Sequence, residues 1–133
     1  MRRKNRMRGA AVTEIALLTP LIFMATLGAF EVGRGVWINH TLSHVAREAV
    51  RYAAVRSERS DDPATLSKVA SRIKREAVGI DAGRLTIQTT WTPSNQPGGT
   101  VQVNLRYEFR PITPLVPIES IMLTANSQRV IAY

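Results

Sequence analysis

An almost unbroken apolar run between charged flanks dominates the N-terminal part of the chain. It extends from Ala10 to Phe30, contains one acid, Glu14, and is ended by the charged residues Glu31 and Arg34. As a helix the run would be about 31 Å long, which matches the roughly 30 Å hydrocarbon core of a bilayer. Because backbone groups in lipid must bond within the chain, the run is predicted to be a transmembrane helix.

The helical pattern continues beyond the apolar run. Apolar residues at helical spacing share one face: Leu42, Val45, Ala46, Ala49, Val50 and Ala53. We therefore predict one continuous helix from Ala10 to a point between Val55 and Arg59, bent near Gly33–Gly35. Its outer half is expected to pack this apolar face on the domain that follows.

Three residues add detail to this helix. Pro20 removes a backbone hydrogen bond, so a local kink or loosening is expected between Ala16 and Pro20, although membrane spans also tolerate proline without consequence. Thr19 is expected to help satisfy the freed backbone groups. Trp37 lies where an aromatic anchor at the membrane–water interface would be useful.

A polar break and a second amphipathic segment follow. Residues 57–63 are polar, and Asp62 before Pro63 has the residue types preferred at an N-cap and at the first helical position. Apolar residues then return at helical spacing: Leu66, Val69, Ala70, Ile73 and Ala77. A second helix is predicted from this cap to the region of Gly79.

The apolar period changes to two in the C-terminal part. Residues 85–91 and 101–109 alternate apolar and polar side chains, and PSNQPGG between them has strong turn chemistry. We predict an antiparallel pair, a third strand over residues 121–132, and thus an α+β fold with a sheet of about three strands. The apolar residues of 111–118 are expected to be buried under the sheet, with a partner contact as the alternative.

Charge divides the chain further. The formal net charge is +8, and five basic residues precede Gly9 with no acid among them: Arg2, Arg3, Lys4, Arg6 and Arg8. No second basic surface follows, so nucleic acid is not an expected partner. Positive charge before a span places the N-terminus in the cytoplasm. The predicted parts are a basic leader (1–9), the span (10–30), a helix extension (31–59) and an extracytoplasmic α+β domain (60–133).

Candidate chemistry is sparse. The chain has no cysteine, which excludes disulfides and thiolate metal sites. His40, His44 and Glu48 have a spacing that can bind a metal, but no fourth ligand follows. Arg47 and Arg51 nearby would repel a cation, so a solvated or partner-facing stripe is preferred. No nucleophile motif and no phosphate loop is present, so no catalytic residue, cofactor or metal is expected.

Glu14 is discordant, because an acid at the bilayer centre costs roughly 2.5–3.5 kcal/mol. A position shallow enough to reach the headgroups, or a secretory signal peptide with an imperfect core, would account for the acid without giving it a role. Cleavage between Gly9 and Ala10 would instead create an ammonium group on Ala10, one helical turn from Glu14 on the same side. Such a pair, within one chain or between neighbours, would set the stagger of packed helices.

A stripe of small residues marks a second candidate contact. Ala25, Ala29 and Gly33 are spaced by four, so they share one face of the predicted helix and would let another helix approach closely. The alternative is the ordinary preference for small residues in membrane spans.

These features together resemble a known family. A basic segment, a glycine and an apolar helix with Glu14 as its fifth residue resemble the processing site of type IV prepilins. The stretch RGAAVTEIALLTPLIFMATLGAFEVGRGVW, followed by VAREAVRYA, is similar to the TadE-like family of the Tad (or Flp) pilus machinery. The matching positions are Gly9, Ala10, Glu14, Pro20, the Phe30–Glu31–Gly33–Arg34 group and Ala46–Arg47–Glu48–Ala49–Arg51.

The resemblance implies a pseudopilin or minor pilin of a Tad-type pilus, which serves adhesion and biofilm formation. An inner-membrane prepilin peptidase would cut after Gly9, and Ala10 and Glu14 would carry assembly registry. Implied partners are other pilin or pseudopilin subunits, the peptidase, the inner-membrane pilus assembly platform and membrane lipid. The competing hypothesis is an unprocessed single-pass membrane anchor that carries the small sheet as a binding domain.

Overall fold

The structure, a computed structural model, describes residues 3–113 and 119–132, and its side chains from residue 9 onward. Within these residues two helices are followed by a 3₁₀ turn and three strands. Their bounds are α1 Arg3–Ala54, α2 Leu66–Glu76, the turn Ala82–Arg84, β1 Leu85–Thr92, β2 Thr100–Phe109 and β3 Ile121–Val130. The predicted α+β architecture is confirmed.

These strands form one antiparallel sheet in the order β1-β2-β3. In the first pair Trp91 faces Val101, and in the second Leu105 faces Ala125. Every second residue of β2 from Val101 to Phe109 is buried, so the period of two in the sequence is the period of burial in the sheet. The predicted pairing is confirmed, and the third strand ends at Val130.

The outer half of α1 packs on β2 and β3, and α2 contacts α1 and β1. Most of these elements supply fully buried side chains, among them Ile38, Leu42, Val45, Val50, Val69, Ile73, Val101, Val103 and Leu105. Taking an aliphatic side chain of this size out of water contributes about 1.5–3 kcal/mol. The apolar face predicted on the outer half of α1 is therefore the core face of the helix.

The bounds of α1 differ from the prediction. The helix begins at Arg3, inside the basic leader, and it ends at Ala54, before the predicted limit at Val55–Arg59. It ends where the Arg56 backbone N–H turns back to the Ala53 carbonyl at 3.1 Å. The helix is continuous through Gly33–Gly35, and the bend expected there stays a prediction.

The start of α2 also differs from the prediction. Thr65, not Asp62, is the N-cap, because the Thr65 hydroxyl oxygen accepts the Lys68 backbone N–H at 3.4 Å. Asp62 instead pairs with the Lys68 ammonium and, at 3.7 Å, with the Arg56 guanidinium. With bounds of Leu66–Glu76, α2 is shorter at both ends than expected.

The end of the domain at which α1 stops, here termed the distal end, is held together by loops. The Glu58 backbone N–H donates to the Asn95 carbonyl at 2.8 Å. The Asn95 side-chain amide donates to the carbonyls of Arg56 and Ala64, both at 3.3 Å. The turn predicted from PSNQPGG thus also fastens the connection between the two helices.

The connection between β2 and β3 lies partly outside the described residues, which omit 114–118. At its described start Pro111 is half-buried, whereas the Ile112 side chain is 74% exposed. The burial expected for the apolar residues of 111–118 is therefore wrong at Ile112.

Alanine substitutions at Gly79 and Gly98 would distinguish the cost of backbone strain from the cost of overpacking. Their φ angles are 76° and 86°. A Cβ at Gly79 would lie 2.6 Å from Cη2 of the Trp37 ring, whereas one at Gly98 would meet nothing within 4 Å. We expect Gly98→Ala to lower the free energy of unfolding by about 1–2 kcal/mol through strain. Gly79→Ala should lose roughly 1–3 kcal/mol more through overpacking. Thermal unfolding of the detergent-solubilised chain measures both, and equal losses would contradict the packing part.

Candidate functional site: the N-terminal helix and its junction with the domain

The N-terminal part of α1 has an apolar surface that the described remainder of the chain leaves uncovered. Residues 10–26 are all exposed, including Leu17, Leu21 and Phe23. Among the described residues, α1 is the one helix long and apolar enough to cross a membrane. It fits a single-pass membrane anchor.

Gly9, Ala10 and Glu14 lie on this exposed part, within the continuous helix. A separation of four residues puts Ala10 and Glu14 on the same side, as the registry hypothesis requires. Thr13, which no motif singles out, donates from its hydroxyl to the carbonyls of Gly9 at 3.1 Å and of Ala10 at 2.8 Å. Both carbonyls flanking the predicted cleavage point are thus held in a helical turn, and the roles of Gly9, Ala10 and Glu14 stay predictions.

The helix also continues through Pro20. Because Pro20 has no N–H, the Ala16 carbonyl loses its usual intrahelical donor. The Thr19 hydroxyl donates to the Ile15 carbonyl at 2.7 Å, one residue before the carbonyl that Pro20 leaves without a donor. The expectation that Thr19 compensates for Pro20 is corrected accordingly, while the local kink stays a prediction.

The small-residue stripe of Ala25, Ala29 and Gly33 lies on the exposed surface of α1. A Cβ placed at Gly33 would meet nothing within 4 Å, so the helix backbone is open to a close approach there. Helix packing along this stripe stays a prediction.

Glu31 is the first buried residue along the described part of α1, and it joins the helix to the sheet. Its side chain is 6% exposed. Oε1 accepts the backbone N–H of Ile112 at 2.7 Å, and it accepts the backbone N–H and hydroxyl of Thr113 at 3.0 and 2.8 Å. Oε2 accepts Nη2 and Nε of Arg34 at 2.9 and 3.2 Å. Donors from two distant parts of the chain thus converge on one carboxylate.

These donors set the charge state of Glu31. Burial by itself raises the pKa of the carboxyl, because it penalises the charged form. The hydrogen bonds from Thr113, Arg34 and Ile112 outweigh burial and lower the pKa from 4.5 to about 2. Glu31 therefore stays ionised at neutral pH and keeps its donors.

Sequence reasoning missed this role of Glu31 and treated it, with Arg34, as a charge that ends the span. The one local signal is the three-residue spacing of acid and base, which favours a pair on a helix. The other donors, at Ile112 and Thr113, lie more than 80 residues further along the chain. No local pattern connects them.

Arg34 and Trp37 extend the junction to the end of β2 and to the loop after α2. The Arg34 guanidinium lies 4.3 Å from the centroid of the Phe109 ring, and its Nη2 donates to the Arg110 carbonyl at 2.6 Å. The Trp37 ring lies against Gly79 while half of its surface remains exposed. The predicted interfacial tryptophan therefore also contacts the domain.

An apolar groove of about 490 Å³ runs beside the junction, and we term it the base groove. The base is the end of the domain at which Glu31 meets residues 109–113. α1 forms one wall of the groove, and the end of β2 and the start of β3 form the other. Its lining includes Gly28, Val32, Val36, Phe109, Ile121 and Leu123.

The His40–His44–Glu48 stripe lies on the outer half of α1. Both histidines are exposed, and the Glu48 carboxylate is paired with Arg51 at 2.9 Å. Within the described ranges, no three His, Cys, Asp or Glu side chains are grouped so as to hold a metal ion.

Comparison with known families supports the resemblance found in the sequence. The family model described as TadE-like protein matches residues 9–51. The match begins at Gly9, covers the exposed part of α1 and Glu31, and reaches the core-facing part of the helix. No curated protein and no solved structure matches the chain significantly. The resemblance to the TadE-like family is confirmed over residues 9–51, and it points to a pilin-like protein associated with the Tad pilus.

Replacing the carboxylate of Glu31 should change how stability depends on pH. In Glu31→Gln one acceptor becomes a donor that faces Arg34, so we expect a loss of about 1–3 kcal/mol at pH 7. Because folding lowers the Glu31 pKa from 4.5 to about 2, its stabilisation is present above pH 4.5 and is lost as the pH falls towards 2. The gap between wild type and variant should therefore close over this interval, as measured by thermal unfolding.

Glu48→Gln is the matched control for this experiment. It removes an ion pair of the same spacing whose arginine is 65% exposed, so we expect a loss of no more than about 0.5 kcal/mol. A gap for Glu31→Gln that is as small as the control's, or that persists at pH 2, would contradict the role given to Glu31.

Proposed function

We propose that this chain, whose residues 9–51 match the TadE-like family, is a non-enzymatic, pilin-like subunit that helps to build a Tad/Flp-type pilus. The observation that carries the proposal is the family match, which begins at Gly9 and follows an exposed apolar helix. A soluble domain would have to cover such a surface, whereas a membrane or the helices of other subunits cover it without further structure.

A prepilin peptidase of the inner membrane cuts after Gly9 in this proposal. The new ammonium group on Ala10 then lies one helical turn from the Glu14 carboxylate, on the same side of an exposed helix. In lipid or between packed helices neither charge is stable alone, so the pair forms within a chain or between neighbours. When the pair forms between neighbouring chains, those chains take one axial stagger, which is the registry that a filament needs.

The proposed location and partners follow from the same helix. Residues 1–9 remain in the cytoplasm, the span crosses the inner membrane, and residues 60–133 lie outside. The partners are other pilin or pseudopilin subunits, the prepilin peptidase, the inner-membrane assembly platform and membrane lipid. Surface adhesion and biofilm formation are the indirect outputs of the pilus. The small-residue stripe supports this proposal as an open helix–helix contact.

The competing function is an unprocessed single-pass anchor that displays the sheet as a binding module. It is favoured by the fact that the described residues form a packed α+β core above the predicted span. The two functions differ in the fate of the leader.

The mature N-terminus distinguishes them. Mass spectrometry of chain extracted from native membranes should show Ala10 as the first residue, because cleavage after Gly9 is what gives Glu14 its partner. A leader that remains intact from Met1 would support the unprocessed anchor and overturn the proposal.

Removing the Glu14 carboxylate should block assembly after insertion. We expect Glu14→Gln to be inserted and processed normally but to lose pili, because breaking a buried ion pair costs roughly 3–5 kcal/mol in each contact. Electron microscopy of the cells and immunoblots of their membranes measure the two effects. Thr26→Val is the control, since its hydroxyl bonds only the Ile22 carbonyl of the same helix, at 2.8 Å. Normal piliation in Glu14→Gln would remove the role of the acid.

A further inference from the structure

The base groove lies at a defined height on α1. A helix rises 1.5 Å per residue, so the groove, which runs from Gly28 to Val36, is about 12 Å long. Phe30, the predicted end of the span, lies within this interval. The headgroup region on each side of the hydrocarbon core is roughly 5–8 Å thick. The groove therefore covers the level at which α1 leaves the bilayer.

The lining of the base groove is apolar, although charged and polar residues lie nearby at the same end of the sheet: Glu108, Arg110, Glu119 and Ser120. Among the described residues, Glu31 is the one polar residue that lines the groove, and the hydrogen bonds from Arg34, Ile112 and Thr113 already occupy its carboxylate. Ile112, Ile121 and Met122 at the same end of the sheet are 74%, 42% and 60% exposed. A solvated base would expose these three side chains and the apolar lining of the groove to water.

The loops at the distal end of the domain are polar. Glu58, Arg59, Asp61 and Gln96 are all exposed there. From Glu31 to Ala54 the helix rises about 35 Å, so the polar end is far from the predicted span. The base, where exposed apolar residues adjoin the groove, is thus the end of the domain nearer the predicted span.

The lining and the position of the groove favour a hydrocarbon chain as its occupant. The described lining offers no free hydrogen-bonding side chain, because the carboxylate of Glu31 is already paired. The groove follows directly on the exposed apolar surface of residues 10–26, so lipids that pack beside the predicted span reach it directly.

We propose that the base of the domain rests in the extracytoplasmic leaflet of the membrane, and that the base groove takes an acyl chain of a neighbouring phospholipid. This inference rests on the membrane insertion proposed above. Ile112 and Ile121 enter the interfacial layer, where partly buried apolar side chains are stable to a depth of roughly 5–10 Å. The contact holds the sheet against the bilayer without any further protein.

The absence of cysteine makes the test direct, because single-cysteine variants of the full chain carry one label each. Ile112→Cys, Ile121→Cys and the distal control Gln96→Cys are labelled with an environment-sensitive fluorophore and reconstituted in phosphatidylcholine vesicles. We expect lipids with a nitroxide near the headgroup to quench the labels at positions 112 and 121 several-fold more than the label at position 96. Equal quenching at all three positions would overturn the proposal.

A charged side chain in the base groove should weaken the contact between the base of the domain and the lipid. With the label at position 112, Ile121→Asp is expected to lower the quenching, because a carboxylate is costly in an apolar layer. Val130→Asp is the matched control at the other end of β3, where the native side chain is 58% exposed, and it should leave the quenching unchanged. An equal fall in both variants, or no fall in Ile121→Asp, contradicts the proposal.

Two further measurements separate insertion of the span from contact of the base with lipid. Extraction of the vesicles with alkaline carbonate reports membrane insertion itself. A chain that is extracted overturns both the insertion and this inference, whereas a retained chain without quenching at position 112 overturns only the inference. Energy transfer between labels at position 112 on different copies of the chain could instead rise with the protein-to-lipid ratio, without quenching by lipid. That result would identify a second copy as the occupant of the groove and would also overturn the inference.

Discussion

The arrangement of the molecule depends on the buried carboxylate of Glu31, which holds α1 to the β2–β3 connection. On its N-terminal side α1 has an apolar surface that the described residues leave uncovered, and on its C-terminal side the same helix is the centre of a folded core. Ile112, Thr113 and Arg34 all direct donors at this one group. Because buried donors without an acceptor cost about 1–3 kcal/mol each, the β2–β3 connection is held to the helix at this height.

Elements that depend on near neighbours in sequence could be predicted. Leu42 and Ala53 are both fully buried, since a helix brings every third or fourth residue to one face and the core must cover that face. The alternation along β2 is equally informative, because its period of two shows which face of the strand is buried in the core. The pattern of Gly9, Ala10 and Glu14 is equally local, so the candidate processing site could be located from the order of residues alone.

Features that depend on distant neighbours could not be predicted. Asp62 has the chemistry of an N-cap, but Lys68 and Arg56 compete for its carboxylate, and Thr65 lies next to the first turn of the helix. Glu31 has the appearance of a charge at the end of a span, because its backbone partners follow only after the helices and two strands. Contacts between residues that are distant in sequence decide which residue caps a helix, whether an acid is buried and whether a loop is exposed. A sequence pattern identifies only the candidates.

The continuity of α1 has a mechanical consequence. Its 52 residues form a rod of about 78 Å, and the contacts of Glu31, Arg34 and Trp37 fix the sheet to that rod immediately beyond the apolar segment. A helix that rolls about its own axis among neighbouring helices must then swing the sheet through the same angle. Torque applied inside the bilayer is thereby passed to the sheet through one helix that is continuous from the apolar segment to the core.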